Sequence, residues 1–590
     1  MNHRVKHIKE FATLITSGLN GRSFYKFVIA CLFFLITGRI FSVQAQVIPI
    51  DDIKEEQFRI QQLFHGSELS SFTNRPVWDK IYQDYMELGT QDYGMWSQPF
   101  TPFQYEYKSY FKVGIYEPKL QFTTNSSVPY GQNNEAAWYG KGFSSEFKGG
   151  FWLTSDFVTI TFRPQMVSQQ NLEFDIPRFV PEDENGNIRY IAEGIGNQID
   201  MPFRFGPTSF QTFSLGYSSV RAHYKNIEAG LSTEPMWWGA NVKYPLIMSN
   251  NAAGMPHFFI GTRGPLKVPY VGSFEFKYMG GFPEDSEYFD QEEEYQQDRF
   301  MNAVNLSYSP FFAPNIHFGL ARAVHTYMEH GVLTAEDYGL IFDPFLVTNF
   351  IKARGPINII KPRNHLNSLY ARWVWPESQV EIYGEYFRDD FAYDARDVLM
   401  EPRHNSGYAF GFQKLIMGKH FHFYKMNVEF TNMTPGYLEE VRPQNYYYTD
   451  AKIRQGHTNQ GQLIGAAIGP GSNSQFASVD AYFDAGRLGL FIRRMADNNH
   501  FHFEYDRFLN RPEEWRKGYG DYWRHRTDFT IGAKGLYKYR DFLISANLSW
   551  TKLYNYGRYD YGEFGGLNIT NFEPMDKSNV QFHVGLSYQF

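Results

Sequence analysis

Along the last eleven residues, hydrophobic and polar side chains take strict turns. Val580, Phe582, Val584, Leu586, Tyr588 and Phe590 alternate with Gln581, His583, Gly585, Ser587 and Gln589. A period of two with one apolar face predicts a strand buried on one side only. An aromatic carboxy-terminal residue in that register is the usual closing strand of an outer-membrane β-barrel, whose apolar side chains face lipid and whose polar ones face a lumen. The alternation recurs upstream. Val158, Ile160 and Phe162 alternate with Thr159 and Thr161; Phe274, Phe276 and Tyr278 with Glu275 and Lys277; Ile531, Ala533 and Gly535 with Thr530 and Lys534. Leu543, Ser545, Asn547 and Ser549 interleave with Ile544, Ala546, Leu548 and Trp550. A charged side chain facing lipid near the midplane costs roughly 2–4 kcal/mol, so the charged positions are expected inside and the lumen is expected to be polar.

Before these strands the period changes to that of a helix. Ile53, Ile60 and Phe64 share one face and Gly66 would end it. A second helix is predicted from Pro76, with Val77, Ile81, Tyr85 and Leu88 on one face and Gly89 as its stop. Both precede the first strand, so residues 46–104 are expected as a helical segment on the periplasmic side, at or in the barrel mouth. Strand follows strand from about Tyr105, and residues 105–590 hold about sixteen to eighteen spanning strands at 9–11 residues each. The fold class is therefore all-β, a transmembrane antiparallel barrel with a short helical lead-in. Long polar interruptions are expected as extracellular loops: Pro283 to Asp298, Gly331 to Arg363 and Leu509 to Arg526.

The chain has 590 residues, net charge −7 and 18% aromatic residues, with 42 Tyr and 56 Phe. So many Tyr beside Phe fit aromatic girdles at two membrane interfaces better than a soluble core. The mild negative charge argues against a nucleic-acid partner, which would want a basic face. Phe27 to Ile36 is the one apolar run approaching membrane quality, and it is too short to span as a helix. Arg22 and Lys26 precede it and Val43-Gln44-Ala45 follows, which reads as a secretory signal peptide, residues 1–45, cut near Ala45. With no other spanning helix, insertion requires a closed sheet, since unpaired backbone groups in hydrocarbon cost several kcal/mol each. The expected location is the outer membrane, with its lipid and the barrel-assembly machinery as partners. The sole cysteine is Cys31, inside the leader, so the mature chain has no disulfide, thiol nucleophile or Cys-built metal site.

Candidate chemistry is sparse. His500, His502, Glu504 and Asp506 share one strand face, a pattern that suits a metal but equally any inward-facing barrel strand. In VEIYGEYFRDD, Glu381, Tyr383, Glu385, Phe387 and Asp389 share a face, read as inward charges balanced by Arg and Lys of neighbouring strands. The carboxylates of 283–298 could bind Ca²⁺, although their spacing matches no calcium loop and a solvated acidic loop is the simpler reading. Gly469 to Ser474 matches neither a nucleophile elbow nor a phosphate loop and is taken as a turn. No catalytic set, cofactor motif or metal site is assigned.

Several segments together resemble the capsule assembly Wzi family of outer-membrane barrels. The strongest is GLSTEPMWWGANVKYPLIMSNNAAGMPHFFIG, Gly230 to Gly261, similar to the family's E-x-x-W-W-G segment with its Ser-Asn-Asn-Ala run. VEIYGEYFRDD, QGHTNQGQLIGAAIGPGSNSQ from Gln455, VPYGQNNEAAWYGKG from Val128 and SSFTNRP resemble further family segments, in the expected order. The resemblance implies about eighteen strands, a small helical bundle at the periplasmic end, and a lectin-like role in holding capsular or exopolysaccharide at the surface. Within it Glu234, Trp237, Trp238, Ser249, Asn250 and Asn251 carry the family pattern, as glycan contacts or as organisers of the lumen.

Sugar binding needs flat aromatic faces and planar polar side chains, and weak single sites gain strength when one polymer engages many proteins. The loop with Trp515, Tyr519, Tyr522, Trp523, Arg524 and Arg526 has that composition, as would an interfacial girdle. The glycan-site candidates are therefore Trp237, Trp238, Glu234, Asn250, Asn251, Trp515, Tyr522, Trp523 and Arg524. Two rivals differ in class. A porin or substrate-specific channel would have an open lumen, and an envelope-glycan enzyme would rely on His500, His502 and Glu504.

Overall fold

In the computed structural model, residues 46–590 are described except 51, 90, 101–102, 108–110, 177–198, 290–296, 329–330, 345–348, 350–360, 391, 393, 436–445, 498–524 and 557–575. Eighteen antiparallel strands among the described residues close into one barrel. In chain order β1 is Phe111–Asn125 and β2 Gly142–Thr154. β3 runs Val158–Phe162 then Gln165–Gln169, and β4 runs Phe210–Ser214 then Ser219–Tyr224. β5 is Ile227–Ser232, and β6 runs His257–Thr262 then Leu266–Val268. β7 to β12 are Gly272–Gly281, Arg299–Pro310, Ile316–Tyr327, Arg363–Trp375, Val380–Asp389 and Ser406–Met417. β13 to β18 are Phe423–Asn432, Asn473–Phe483, Gly486–Ala496, Thr527–Tyr539, Phe542–Tyr554 and Lys577–Tyr588. Closure is made by β18 on β1, from Gln581 opposite Asn125 to Ser587 opposite Lys119. Beyond it the short strand Phe103–Tyr107 pairs with the start of β1. The terminal Phe590 ring lies 5.5 Å from that of Phe103.

The alternating pattern decides which way each side chain points. Phe122, Phe147, Val220, Leu490, Leu548 and Phe582 are exposed on the outer wall, and Thr123, Glu146, Arg221, Asp480 and Thr551 are buried inside. No helix among the described residues is long and apolar enough to cross a membrane, and the strands do the crossing. Connections at one end have two to five residues, and those at the other have sixteen to forty. Short periplasmic turns and long extracellular loops are the rule for such barrels, which orients this one. The acidic stretch 283–298 and residues 331–362 fall in long connections between strands, with Arg363 opening β10, and Gly469 and Gly471 turn with positive φ, 85° and 68°.

The lumen is polar at many inward positions, as the charges suggested, but not throughout. Met301, Ala303, Ala321, Ala323 and Leu366 also point inward, where they join a buried apolar cluster with Met236, Trp238, Leu246, Tyr448 and Ile464 of the long loops. Those alternate positions are apolar because they face packed chain instead of water. The N-terminal segment, described from Gln46, lies at the end of the short turns, with Ser67 bonded to Asn315 and Trp96 to Phe483. Its first helix, α1 (Ile53–His65), is N-capped by Asp52 and stopped at Gly66, φ 88°. The second, α2 (Asp79–Leu88), starts three residues later than the Pro76 signal suggested, because Val77–Trp78 is extended and paired with Val47–Ile48. α1 lies inside the lumen, where Arg59 reaches Glu381 of β11, and α2 packs on α1 through Tyr82, Tyr85 and Met86.

Candidate functional site

The residues that resemble family segments meet inside the barrel. The loop between β5 and β6 folds inward, and Trp237–Trp238 pairs in antiparallel fashion with Asn74–Arg75 of the N-terminal segment. An extracellular loop and the periplasmic plug thus share one small sheet at the centre of the lumen. Arg75 stacks 4.4 Å from the Trp237 ring centroid, and the Trp237 indole donates to the Asn241 carbonyl at 3.0 Å. Trp238 is 0% exposed within the apolar cluster. Glu234 is paired with Arg221 at 2.5 Å; Arg221 also meets Glu228 at 3.2 Å, and Glu228 meets Lys277 at 3.0 Å.

The Ser-Asn-Asn run ties three inward-folded loops together. Ser249 Oγ donates to the Gly465 carbonyl at 2.6 Å, the Asn250 carbonyl accepts from Glu135 N–H at 2.7 Å, and Asn251 Oδ1 accepts from Asn133 N–H at 3.1 Å. His457 joins in. Its Nε2 donates to the Ile247 carbonyl at 2.7 Å, which leaves Nδ1 to accept from His325 Nε2 at 2.8 Å. Burial pushes the His457 imidazole down to about 4, so it is neutral.

Strand carboxylates hold the loop in place. Glu429 accepts from Val242 N–H at 2.7 Å, Tyr244 N–H at 3.0 Å, Lys243 N–H at 3.1 Å and Tyr383 Oη at 2.7 Å. Gly411 makes room for the Tyr383 ring, since a Cβ there would sit 2.0 Å from it. Glu385 accepts from Asn241 Nδ2 at 2.5 Å and Leu246 N–H at 3.2 Å. Glu381 is held by Arg372 of β10 at 2.6 Å and by Arg59 of α1, whose Nε donates at 2.7 Å. So of the VEIYGEYFRDD carboxylates, Glu381 is balanced by arginines, whereas Glu385, like Glu429 of β13, is satisfied mainly by the loop backbone and neutral donors. Plug charges are matched in the same way. Burial would raise the Glu56 carboxyl, but Arg487 and Lys425, with the Tyr482 hydroxyl, hold it well below the usual range.

The sequence-derived glycan candidates separate into two groups. Trp237, Trp238, Glu234 and Asn250 are buried in this knot and Asn251 is half-buried beside them. Trp515, Tyr522, Trp523 and Arg524, with His500, His502, Glu504 and Asp506, lie outside the described residues. Arg526 is ion-paired with Asp497 at 2.9 Å and Asp528 at 2.8 Å. No group of three or more metal-ligating side chains occurs among the described residues. Sequence reasoning placed Lys277 inside, as found, but missed its partners Arg221 and Glu228, for which inward charge at alternate positions was the signal, and it missed the anchoring role of Glu429.

The filled part of the lumen leaves a cavity of about 250 Å³ against β1, β2 and β18. It is lined by amides, among them Gln121, Gln132, Asn547 and Gln581, by Lys119, Lys148 and Arg163, and by the carboxylates of Asp52, Glu135 and Glu146.

Comparison with known proteins agrees with this architecture. The structure resembles Wzi of Escherichia coli, described as an outer-membrane protein involved in group 1 capsule assembly and a carbohydrate-binding β-barrel, with TM-score 0.58 and 11% identity over 93% of this chain and 100% of that one. The porin OprD from Pseudomonas aeruginosa gives TM-score 0.35 and 8% identity over 80% of this chain and 92% of that one. A BenF-like porin from Pseudomonas fluorescens gives 0.36 and 9% over 81% and 99%. A search of curated proteins finds no match. The family described as "Capsule assembly protein Wzi" matches residues 116–539, well over half of the sequence. With eighteen strands closed around a helical plug, this outer-membrane chain belongs to the Wzi capsule assembly family.

Proposed function

We propose that this barrel binds capsular or exopolysaccharide at the outer face of the outer membrane and holds it on the cell, without exporting it. The observation that carries the reading is the filled lumen. Three long loops fold inward and one of them pairs with the N-terminal plug, so the interior is committed to packing and not to a water column. The segment between β15 and β16, with Trp515, Tyr522, Trp523 and Arg524 in its sequence, supplies aromatic faces and planar donors for sugar. In this reading Trp237, Trp238, Glu234, Asn250 and Asn251 shape the inward-folded loops. Many copies engaging one polymer would turn weak contacts into firm retention. Residues 1–45 direct export and are removed, and insertion uses the barrel-assembly machinery.

The test is surface retention of polysaccharide by a deletion strain complemented with wild type or with Trp515→Ala/Trp523→Ala. Wild type restores retention and the double variant does not, while both barrels insert. The purified wild type stays electrically silent in planar bilayers. Steady conductance by wild type, together with unchanged retention in the deletion strain, would favour the channel and sink this proposal.

A further inference from the structure

The lumen is filled unevenly. Around β5 to β14 the inward side chains are buried against loops and plug, whereas Lys119, Lys148, Asn547, Gln581 and His583 on the opposite wall are only half-buried. They border the 250 Å³ cavity, which Pro49–Ile50 and Gly131–Glu135 close from the other side. Its charges are unequally matched. Lys148 is held by Glu146 at 2.9 Å and Glu135 at 3.1 Å, and Glu146 also accepts from Tyr139 Oη at 2.6 Å. Asp52 is occupied as the N-cap of α1.

Arg163 is different. It is 5% exposed, and its guanidinium lies 5.5 Å and 5.6 Å from the Tyr116 and Tyr217 ring centroids. Among the described residues that guanidinium has no hydrogen bond or ion pair, and its Nε is buried without a partner. Lys119 likewise has no ion pair among the described residues. Arg163 is a buried cation with no ion pair among the described residues, which is costly, and with the half-buried Lys119 facing the same space it favours an anion there. The amide oxygens of Asn133 and Asn547 are also without partners. Primary amides present a donor and an acceptor side by side, as vicinal sugar hydroxyls require. The volume falls just below the 300–1,000 Å³ of drug-sized pockets, which suits one sugar ring.

We infer that this cavity binds a single carboxylate-bearing sugar residue, its carboxylate between Arg163 and Lys119 and its hydroxyls on the amides of the β1, β17 and β18 wall. A planar carboxylate matches the guanidinium fork. The assignment of a sugar, as opposed to another carboxylate, rests on the glycan-binding reading above. The site lies inside the barrel, apart from the loops proposed to hold polymer.

The experiment is saturation-transfer NMR on the purified full-length barrel in detergent, titrated with glucuronate, glucose and inorganic phosphate. Glucuronate binds saturably, glucose binds about tenfold or more weakly, and phosphate competes poorly. Lys119→Gln, at a half-buried position, weakens glucuronate about tenfold, and Arg163→Gln does so at least as strongly if its heat-modifiable gel migration shows a folded barrel. Equal binding of glucose and glucuronate, tighter binding of phosphate, or an unaffected Lys119→Gln overturns the assignment. If glucuronate fails to bind while wild type still retains polymer on cells, the cavity site falls and the surface role stands. Saturable uronate binding by a barrel that retains nothing removes the surface role and leaves the cavity site in place.

Discussion

Replacing Glu429 by Ala removes the anchor of the central loop without touching the outer wall. The carboxylate accepts three backbone N–H groups, from Val242, Lys243 and Tyr244, and the Tyr383 hydroxyl. A hydrogen bond to a charged acceptor contributes about 1.5–3 kcal/mol net, so four donors at the low end give about 6 kcal/mol. Val242 and Lys243 are half-buried and water reaching them recovers part of this, leaving a loss of about 3–4 kcal/mol. That is large enough to let residues 239–246 detach, because the barrel wall closes through its own ladders without them. Limited proteolysis in detergent, with cleavage mapped by mass spectrometry, reads the outcome. Wild type is resistant within 234–256 and Glu429→Ala is cut there at least tenfold faster, with unchanged heat-modifiable migration. Glu429→Gln falls between, since its amide offers one acceptor oxygen in place of two. Equal resistance of the Ala variant and wild type would refute the view that this carboxylate pins the loop.

Three further outcomes follow from the same contacts. Trp238→Ala, at a fully buried position, costs about 3–5 kcal/mol and raises hydrogen exchange across 236–255, whereas Trp238→Phe costs less; unchanged exchange in the Ala variant contradicts the packing role. His457 and Asp450 give pH slopes of opposite sign. Burial lowers His457 to about 4, so wild type loses loop stability relative to His457→Gln as pH falls from about 6.5 through 4. Burial raises Asp450 to about 6, so its folded-state proton uptake makes wild type gain relative to Asp450→Asn as pH falls from about 6 towards 4, as hydrogen exchange at each pH reads. Finally, Arg372→Met alone strands Glu381 with one arginine and destabilises by about 3–5 kcal/mol, while removing Arg59, Arg372 and Glu381 together for apolar residues costs much less; urea midpoints showing the triple variant weaker than the single one contradict this.

The wall was legible because its signal is local. Strand period two survives in eleven residues, so β18, β16 and β17 could be read from side chains alone, and the strand total fell within the range that length allowed. The first helix was equally plain, with Gly66 as its stop. The second was displaced because Val77–Trp78 pairs with Val47–Ile48, a partnership thirty residues away that spacing cannot carry. The lumen was the illegible part. Whether an inward Met301 or Ala323 meets water or chain depends on where loops 233–256 and 446–472 go, and nothing within β8 or β9 states it. Family-like segments marked the important positions without giving their task. Only the structure shows Ser249, Asn250 and Asn251 stitching loops to one another.

A barrel of eighteen strands encloses more space than its own side chains can fill, and two solutions exist: a water-filled channel or a lumen occupied by chain. Here chain enters from both ends, and the strand face has been shaped to receive it. Carboxylates on β11 and β13 meet loop amides, and arginines on β4 and β10 meet acidic groups in loop and strand. Each buried charge would be a heavy cost facing an apolar segment, so its presence implies a partner built to match. By that rule the side of the lumen at β1 to β3 and β18 is an exception within the same molecule, since Arg163 of β3 and Lys119 of β1 have no ion pair among the described residues. The rule that explains the filled side therefore points to a partner that is not protein on the open side.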